Sequence, residues 1–186
     1  MINLTGSIKR AFVFPAVPEI ALTYYSDLSR VATFLPYITL VHSYAPNQIR
    51  MLYETMELGT YTIQIYSDLE STVDWDAKQL KVYPVKIETA APIEPETSVR
   101  HTTGNGLFAI DTQFFDLGAQ TRIEYTIRLK ADLERPLGMR LMPKRVVSRI
   151  AQSITDGRVR EIADGFIKES MDAFPAWEAT YQPVSK

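Results

Sequence analysis

The stretch YYSDLSRVATFLPYI, residues 24–38, decides the fold because it joins two short helices to the strand that follows them. A helical repeat begins after Pro18, a residue tolerated in the first turn of a helix. Asp27 is a typical N-cap for a second short helix, and Pro36 ends that helix because it cannot continue the backbone hydrogen bonding. The stretch therefore predicts two consecutive short helices and then a strand that begins at Ile38.

Alternation of apolar and polar residues on both sides of this stretch predicts β-strands. One strand precedes it, over 7–14, and the alternation returns between 38 and 130 with turns between its segments. Pro84 predicts a bulge or an edge position in the strand over 80–89, and the glycines at 104–106 predict a bulge or bend in the strand over 97–115. We therefore expect six further strands in an antiparallel meander with one solvent-exposed face.

The last third of the chain changes from a period of two to helical spacing. Apolar residues recur at helical intervals over 144–174, with charged residues on the opposite side, and Pro175 follows. Gly157 and Gly165 weaken this long helix, which favours a kink or close packing at those positions. The rest of the chain, 176–186, has no periodic pattern and is expected to be an irregular tail.

Length and composition limit the class of protein. A chain of 186 residues fits one domain over 1–186, and the absence of cysteine excludes disulfide frameworks, thiolate zinc sites and cysteine nucleophiles. A net charge of -2 with a pI of 5.7 argues against a general nucleic-acid binder. The N-terminus lacks the basic start and apolar run of a signal peptide, and no stretch approaches the ~18 apolar residues of a membrane span. The expected location is therefore the cytoplasm.

The order of elements, together with the pattern S-D…R…F-L-P-x-I within 24–38, resembles the START-like (SRPBCC) helix-grip superfamily. The run over 136–143, followed by the long helix, is similar to an uncharacterised branch best known from photosynthetic organisms. The resemblance implies an α+β helix-grip fold: a curved seven-stranded antiparallel sheet wrapped around a long C-terminal helix, with two short helices after the first strand. It also implies a cavity for a hydrophobic ligand between the sheet and the last helix.

The implied cavity makes the inward faces of the strands and of the long helix candidates for ligand binding. The candidates on strands are Met51, Tyr53, Ile63, Ile65, Phe108, Ile110, Thr112, Phe114, Tyr125 and Ile127, and those on the helix are Ile150, Ile154, Ile162 and Phe166. Their expected role is apolar contact, with Tyr53, Thr112 and Tyr125 as polar anchors that fix the ligand's orientation. Tyrosines at such positions are equally suited to filling a core, and no cofactor is expected.

Few residues indicate catalysis or metal binding. The two histidines, His42 and His101, each lack a second ligand at strand or helix spacing, which favours hydrogen-bonded strand histidines over metal ligands. Asp74 and Asp76 lie at a predicted strand reversal, which favours a solvated turn. Asp111 interrupts an apolar strand, and alternation favours an outward side chain over a general base in the cavity. We therefore predict no catalytic residue and no metal site.

A basic and apolar segment surrounds the start of the long helix. Its cations are Arg140, Lys144, Arg145 and Arg149. Such a segment fits peripheral contact with an anionic membrane, but the first turns of a helix with a solvated basic side are the favoured interpretation.

Three functions remain open. The leading hypothesis is binding or transport of a small hydrophobic ligand (a lipid, pigment or isoprenoid-like molecule) without catalysis. The first alternative is a cyclase-like or hydrolytic enzyme for a polycyclic hydrophobic substrate, with Tyr125 or Asp111 moving protons. The second is a membrane-adaptor or structural protein whose cavity is filled by its own side chains.

Overall fold

The computed structural model describes residues 1–139 and 141–181. In chain order its elements are β1 (Ile2–Phe14), α1 (Pro18–Ser26), α2 (Leu28–Thr33), β2 (Ile38–Ala45), β3 (Gln48–Glu57), β4 (Tyr61–Asp74), β5 (Gln79–Pro84), β6 (Glu96–Thr97), β7 (His101–Asp116), β8 (Thr121–Leu133), a short 3-10 helix (Leu137–Met139) and α3 (Lys144–Thr180). This order confirms the predicted α+β class, with two short helices after the first strand and one long C-terminal helix.

The strands form one curved, unclosed sheet in the order β1-β8-β7-β5-β4-β3-β2. Neighbouring strands are antiparallel, except that the first parts of β4 and β7 pair in parallel, from Thr62 opposite His101 to Tyr66 opposite Asn105. The two-residue strand β6 pairs with the start of β7 and makes the sheet eight-stranded. The predicted sheet is therefore confirmed, with one very short strand and one parallel pairing added.

Several strand ends differ from the predictions for identifiable reasons. β1 begins at Ile2 rather than at residue 7, since Ile2 and Leu4 are buried and extend the apolar alternation. β5 ends at Pro84, which has no N–H to donate to a neighbouring strand. β7 continues through the predicted bend: it pairs with β4 on one side as far as Asn105, and its pairing with β8 on the other side begins at Gly106.

Both predicted short helices form, and the long helix extends beyond its predicted end. The Asp27 side chain accepts a hydrogen bond from the backbone N–H of Arg30 at 3.0 Å, which caps α2. α3 continues through Pro175 to Thr180, so the tail expected from residue 176 is helical as far as that residue. The Trp177 ring packs at a tilt of 58° against Tyr24 with centroids 4.9 Å apart, and this contact stabilises the turns beyond the proline. Residues 182–186 of the predicted tail lie outside the described residues.

Helix α3 packs against the sheet, and the two short helices close one end of the space between them. Gly165 explains part of this packing, because a Cβ atom there would lie 2.3 Å from Cγ of Pro36. The close packing predicted for a glycine in this helix is thus confirmed at Gly165, whereas Gly157 has open space beside it. The chain just after α2 therefore lies directly against the middle of α3.

Candidate functional site

A cavity lies between the sheet and the first half of α3. Its volume is about 130 Å³, measured as the space open to the centre of a water molecule. That volume is close to the ~150 Å³ of an engineered apolar cavity that binds benzene, and it is below the ~300–1,000 Å³ typical of ligand pockets. The cavity has room for one small molecule.

The structure brings about half of the predicted ligand-binding residues to this cavity. Those that line it are Met51, Tyr53, Ile63, Ile65, Phe108, Ile150, Ile154 and Ile162. They come from β3, β4, β7 and α3, whose inward positions follow the period of two in the strands and of 3.6 in the helix. Ligand contact by these side chains stays a prediction.

The other predicted residues lie beyond the cavity, in the packed part of the core or beside it. These are Ile110, Thr112, Phe114, Tyr125, Ile127 and Phe166. Aromatic rings fill the space there: Tyr125 and Phe166 meet edge to face with centroids 5.3 Å apart, and Phe166 also contacts Tyr25 at 5.7 Å. The sequence pattern marks an inward face without distinguishing a hollow stretch from a filled one.

Tyr125 and Thr112 differ from their predicted role as polar anchors. The Tyr125 hydroxyl donates a hydrogen bond to the backbone carbonyl of Ala163 at 2.6 Å, so it joins β8 to α3 inside the core. Thr112 is half-buried directly opposite Tyr125 on the neighbouring strand. Neither residue lines the cavity.

Sequence reasoning missed much of the cavity wall. The missed apolar lining residues include Ile2, Leu4, Ile38, Leu129, Ala131, Leu133, Met139, Val147 and Ala151. The alternation of Ile2 and Leu4 with the following strand could have revealed the first two. Gly106 also lines the cavity, and a Cβ atom there would lie 2.5 Å from the Ile65 side chain. The glycine-containing segment of β7 thus lets a β4 side chain pack across it.

A partly buried ion-pair network lies at one end of the cavity. Arg158 Nε donates to Glu57 Oε1 at 2.8 Å, and Arg158 Nη1 donates to Glu161 Oε2 at 2.6 Å. Nη1 also donates to the Tyr37 hydroxyl at 3.0 Å, and that hydroxyl donates to Glu161 at 2.7 Å. Hydrogen bonds with Glu57 and Glu161 raise the pKa of Arg158 above its usual value. This network joins the end of β3 and the start of β2 to α3.

Two tyrosine side chains lie in the cavity wall. Burial raises the pKa of Tyr53, and the nearby charge of Glu57 raises it further. Burial also raises the pKa of Tyr61, and the neighbouring Thr102 hydroxyl opposes that change. Within residues 1–139 and 141–181, the Tyr61 hydroxyl makes no hydrogen bond.

The histidines lie outside the cavity. His42 packs its ring against Tyr44 with centroids 4.5 Å apart on β2. His101 contacts Ser98 Oγ through Nδ1 at 2.8 Å and Glu96 through Nε2 at 3.0 Å, a serine–histidine–glutamate group that sequence reasoning missed.

This serine–histidine–glutamate group is a structural feature of a surface turn. Ser98 Oγ already accepts hydrogen bonds from the backbone N–H groups of Arg100 and His101, at 3.1 and 3.0 Å. Both Glu96 and His101 are exposed to solvent, and none of the three lines the cavity. An activated nucleophile needs a free oxygen next to a site that holds a substrate. Within the described ranges, no group of three or more His, Asp or Glu residues has the arrangement of a metal site.

The carboxylates that raised the question of catalysis or metal binding have surface roles. Asp111 forms an ion pair with Arg128, which confirms its predicted outward direction. Asp74 accepts a hydrogen bond from the backbone N–H of Ala77 at 2.8 Å, as expected for a turn. Asp76 is exposed in the same turn.

The basic segment at the start of α3 is exposed. Lys144, Arg145 and Arg149 all face solvent, and Leu141 beside them is completely exposed. Arg140, the fourth predicted cation, lies outside the described residues. In the part of the chain that the structure describes, no helix has the length and apolar character needed to span a bilayer.

Comparison with known proteins identifies the fold. No family model matches the sequence, and no curated protein matches it. A conserved protein from Geobacillus kaustophilus is similar in structure, with a TM-score of 0.53, 8% identity, and coverage of 94% of this chain and 96% of that one.

Two further solved structures have comparable similarity. The Zhui aromatase/cyclase from Streptomyces sp. R1128 has a TM-score of 0.50 and 10% identity, over 91% of this chain and 90% of the other. Human STARD10 has a TM-score of 0.50 and 13% identity, over 95% of this chain and 67% of the other. The structural matches establish a START-like helix-grip fold for this chain. Membership of the branch best known from photosynthetic organisms stays a prediction.

Proposed function

We propose that this START-like helix-grip protein binds a small hydrophobic molecule in the cavity between the sheet and α3, without catalysing a reaction. The observation that carries the proposal is the cavity itself, which has an almost entirely apolar wall and the volume of a small molecule. Burial of apolar surface contributes ~25 cal/mol per Å², so an apolar ligand is the kind that this wall favours.

The charges near the cavity support a binding role over catalysis. Glu57 is the buried carboxylate of the described lining residues, and it accepts hydrogen bonds from both Arg158 and Thr55. A general base needs a free carboxylate or imidazole within reach of the substrate proton. The predicted proton donors or acceptors, Tyr125 and Asp111, are held by Ala163 and Arg128 outside the cavity.

The proposed ligand contacts are the predicted residues that line the cavity, with Ile154 and Ile63 as central examples from helix and sheet. The test is titration of the neutral fluorescent probe N-phenyl-1-naphthylamine into the wild type and an Ile154→Phe variant. The larger ring takes up cavity volume, so we expect saturable one-to-one binding to the wild type and at least tenfold weaker binding to the variant.

A matched control places the same ring elsewhere on the helix. Ser153→Phe adds it at an exposed position next to Ile154 and leaves the cavity wall unchanged. Probe affinity equal to the wild type is expected for this control. Binding that is unaffected by Ile154→Phe would show that the probe does not enter the cavity, and the proposal would then fail.

Contact with an anionic membrane is a second part of the proposal, and it assumes a protein that works in the cytoplasm. It is supported by Lys144, Arg145 and Arg149, which form no ion pair within 1–139 or 141–181, and by the exposed side chains of Leu141 and Met142 nearby. Basic residues near an anionic surface contribute ~1 kcal/mol each, and exposed apolar residues add to this by insertion.

Sedimentation with anionic vesicles tests this contact. Vesicles of phosphatidylserine and phosphatidylcholine should bind the wild type and should bind an Arg145→Glu, Arg149→Glu variant much less. A matched double reversal on the exposed side of the same helix, Arg160→Glu with Lys168→Glu, should keep most of the binding. Equal binding by all three proteins, or binding by none, would contradict the membrane contact.

A further inference from the structure

Tyr61 is the cavity residue whose environment the fold of the protein does not by itself explain. It is the first residue of β4, it lines the cavity, and only 7% of its surface is exposed. Its hydroxyl is buried and makes no hydrogen bond with a described residue. A buried hydroxyl without a partner is rare in folded proteins because it loses its hydration without compensation.

The polar groups around Tyr61 are engaged with other partners. Thr102 shares a hydrogen bond with the Thr97 hydroxyl at 3.1 Å and also donates toward the carbonyl of Glu96 at 3.4 Å. Glu57 lies directly opposite Tyr61 on β3, but its carboxylate is held by Arg158 and Thr55. Tyr61 is therefore a residue of an apolar wall whose hydroxyl can donate a hydrogen bond that no described neighbour accepts.

The charged side chains of the wall do not favour an anionic ligand. Arg158 donates to Glu57 through Nε and Nη2, at 2.8 and 3.3 Å, and to Glu161 and Tyr37 through Nη1. Two carboxylates thus neutralise this guanidinium, and its donors are almost all in use. Lys130, the other cation of the described wall, is exposed at the rim.

We propose that the Tyr61 hydroxyl donates a hydrogen bond to an uncharged oxygen, a carbonyl or a hydroxyl, of an otherwise apolar ligand. The protein would thereby select neutral ligands with one polar oxygen over anionic ones of the same size. This inference rests on the proposed function, and it adds the chemical class of the ligand and the residue that recognises it.

The test uses three probes that share a phenyl ring and a four-carbon chain: butylbenzene, 4-phenylbutan-2-one and 4-phenylbutanoate. Each displaces N-phenyl-1-naphthylamine from the wild type and from a Tyr61→Phe variant, which loses one oxygen atom and no apolar surface. We expect the variant to bind the ketone about tenfold more weakly and butylbenzene with unchanged affinity. The wild type should bind the ketone at least about tenfold more tightly than the carboxylate at pH 7.

A second tyrosine variant serves as the control. Tyr83→Phe removes a hydroxyl that donates to Glu70 and does not line the cavity, so it should leave the ketone's affinity within about twofold of the wild type. Equal loss of ketone affinity in Tyr83→Phe and Tyr61→Phe would overturn the assignment, as would equal affinity in the wild type and both variants.

Thermal unfolding without ligand checks that Tyr61→Phe acts on binding. Because the hydroxyl has no described partner, its removal should leave Tm unchanged or raise it by ~2–4 °C. A clear fall in Tm would mean that the hydroxyl has a structural partner, and the inference would be wrong. If neither butylbenzene nor the ketone displaces the probe from the wild type, the proposed function and this inference both fail. If the probe binds but Tyr61→Phe does not weaken ketone binding, the inference alone fails.

Discussion

The space between α3 and the sheet differs greatly between its two ends. Toward the second half of the helix, rings from α1, α3 and the sheet fill it: Phe14 lies 4.4 Å from Phe174 between ring centroids, and Tyr24 lies 5.2 Å from Phe174. Toward the first half, the facing side chains are mostly aliphatic and a cavity separates them. One half of α3 therefore covers a tightly packed core, and the other half covers the cavity.

This difference indicates how a hollow protein keeps its stability. Aromatic rings bury ~150–250 Å² each and gain further energy from edge-to-face contacts, so a cluster of them holds α3 firmly at one end. Hydrogen bonds from Tyr24 and Tyr25 to Ser170 fasten the same region, at 2.8 and 2.9 Å. The other half of α3 can then tolerate unfilled space, which would otherwise cost stability in proportion to its volume.

Truncation of a ring at the packed end should have the largest effect. Phe174 is buried among Phe14, Tyr24 and Trp177, so Phe174→Ala should lower the free energy of unfolding by ~3–5 kcal/mol. Ile154→Ala at the cavity should cost less than half as much, because its neighbours already face open space. Urea unfolding followed by circular dichroism measures both variants. Equal losses would mean that the two ends do not differ in packing.

Enlarging either of two alanines on the inner side of α3 tests the same difference in packing. Ala163 is completely buried, so Ala163→Leu should overpack the core and lower the free energy of unfolding by ~2–3 kcal/mol. Ala151 borders the cavity, so Ala151→Leu should change the stability by less than ~1 kcal/mol and should weaken binding of N-phenyl-1-naphthylamine. A large loss of stability in Ala151→Leu would contradict the presence of the cavity.

Adding a single Cβ atom at either of two glycines of α3 compares packing around the helix on a finer scale. A Cβ atom at position 165 would clash with Pro36, so Gly165→Ala should lower the free energy of unfolding by ~1–2 kcal/mol despite its better helix propensity. Gly157 has open space, so Gly157→Ala should raise the free energy of unfolding by ~0.5–1 kcal/mol. Thermal unfolding of both variants gives the answer, and changes of the same sign would be unexpected.

The smallest expected effect is a pH dependence from the ion-pair network at the end of the cavity. Hydrogen bonds from Tyr37 and Arg158 hold the pKa of Glu161 below its usual value. The ionised Glu161 carboxylate therefore stabilises the fold fully above the pKa of a glutamate in the unfolded chain, ~4.3. This stabilisation is lost as the pH falls through the lower pKa that Glu161 has in the folded protein. Glu161→Gln should cost less than ~1 kcal/mol at pH 7, because the carboxylate is half-exposed, and progressively less as the pH falls below ~4.3.

Denaturant unfolding between pH 3 and 7 checks this prediction. Glu178→Gln is a suitable control, since Glu178 is an exposed residue of the same helix without an ion pair among the described residues. The control should follow the wild type at every pH. A difference between Glu161→Gln and the wild type that grows as pH falls would have the wrong sign.

The sequence predicted the order of the elements because each element carries its own local signal. The cap at Asp27, the period of two in the strands and the helical spacing in α3 are all readable within short windows. The extension of α3 past Pro175 was not readable, because it depends on contacts of Trp177 with a ring far away in the sequence. The confirmed parts of the fold are those with local causes.

The cavity was harder to predict because it depends on side-chain volumes across several elements. Ile65 and Ile127 both lie on inward faces of strands, yet one lines the cavity and the other is in the packed core. The difference comes from what each meets: Ile65 faces Gly106 and open space, whereas Ile127 belongs to the cluster that includes Tyr125 and Phe166. The Tyr61 hydroxyl could not be singled out from the sequence, because its lack of a partner among the described residues depends on how distant elements pack.

Native mass spectrometry gives the sharpest test of ligand binding at the hollow end of the molecule. Wild-type protein and the Ile154→Phe variant are purified from the same host without detergent and incubated with 4-phenylbutan-2-one. We expect a one-to-one adduct on the wild type that is strongly reduced on the variant. Equal adducts on both proteins, or no adduct on the wild type, would contradict binding in the cavity.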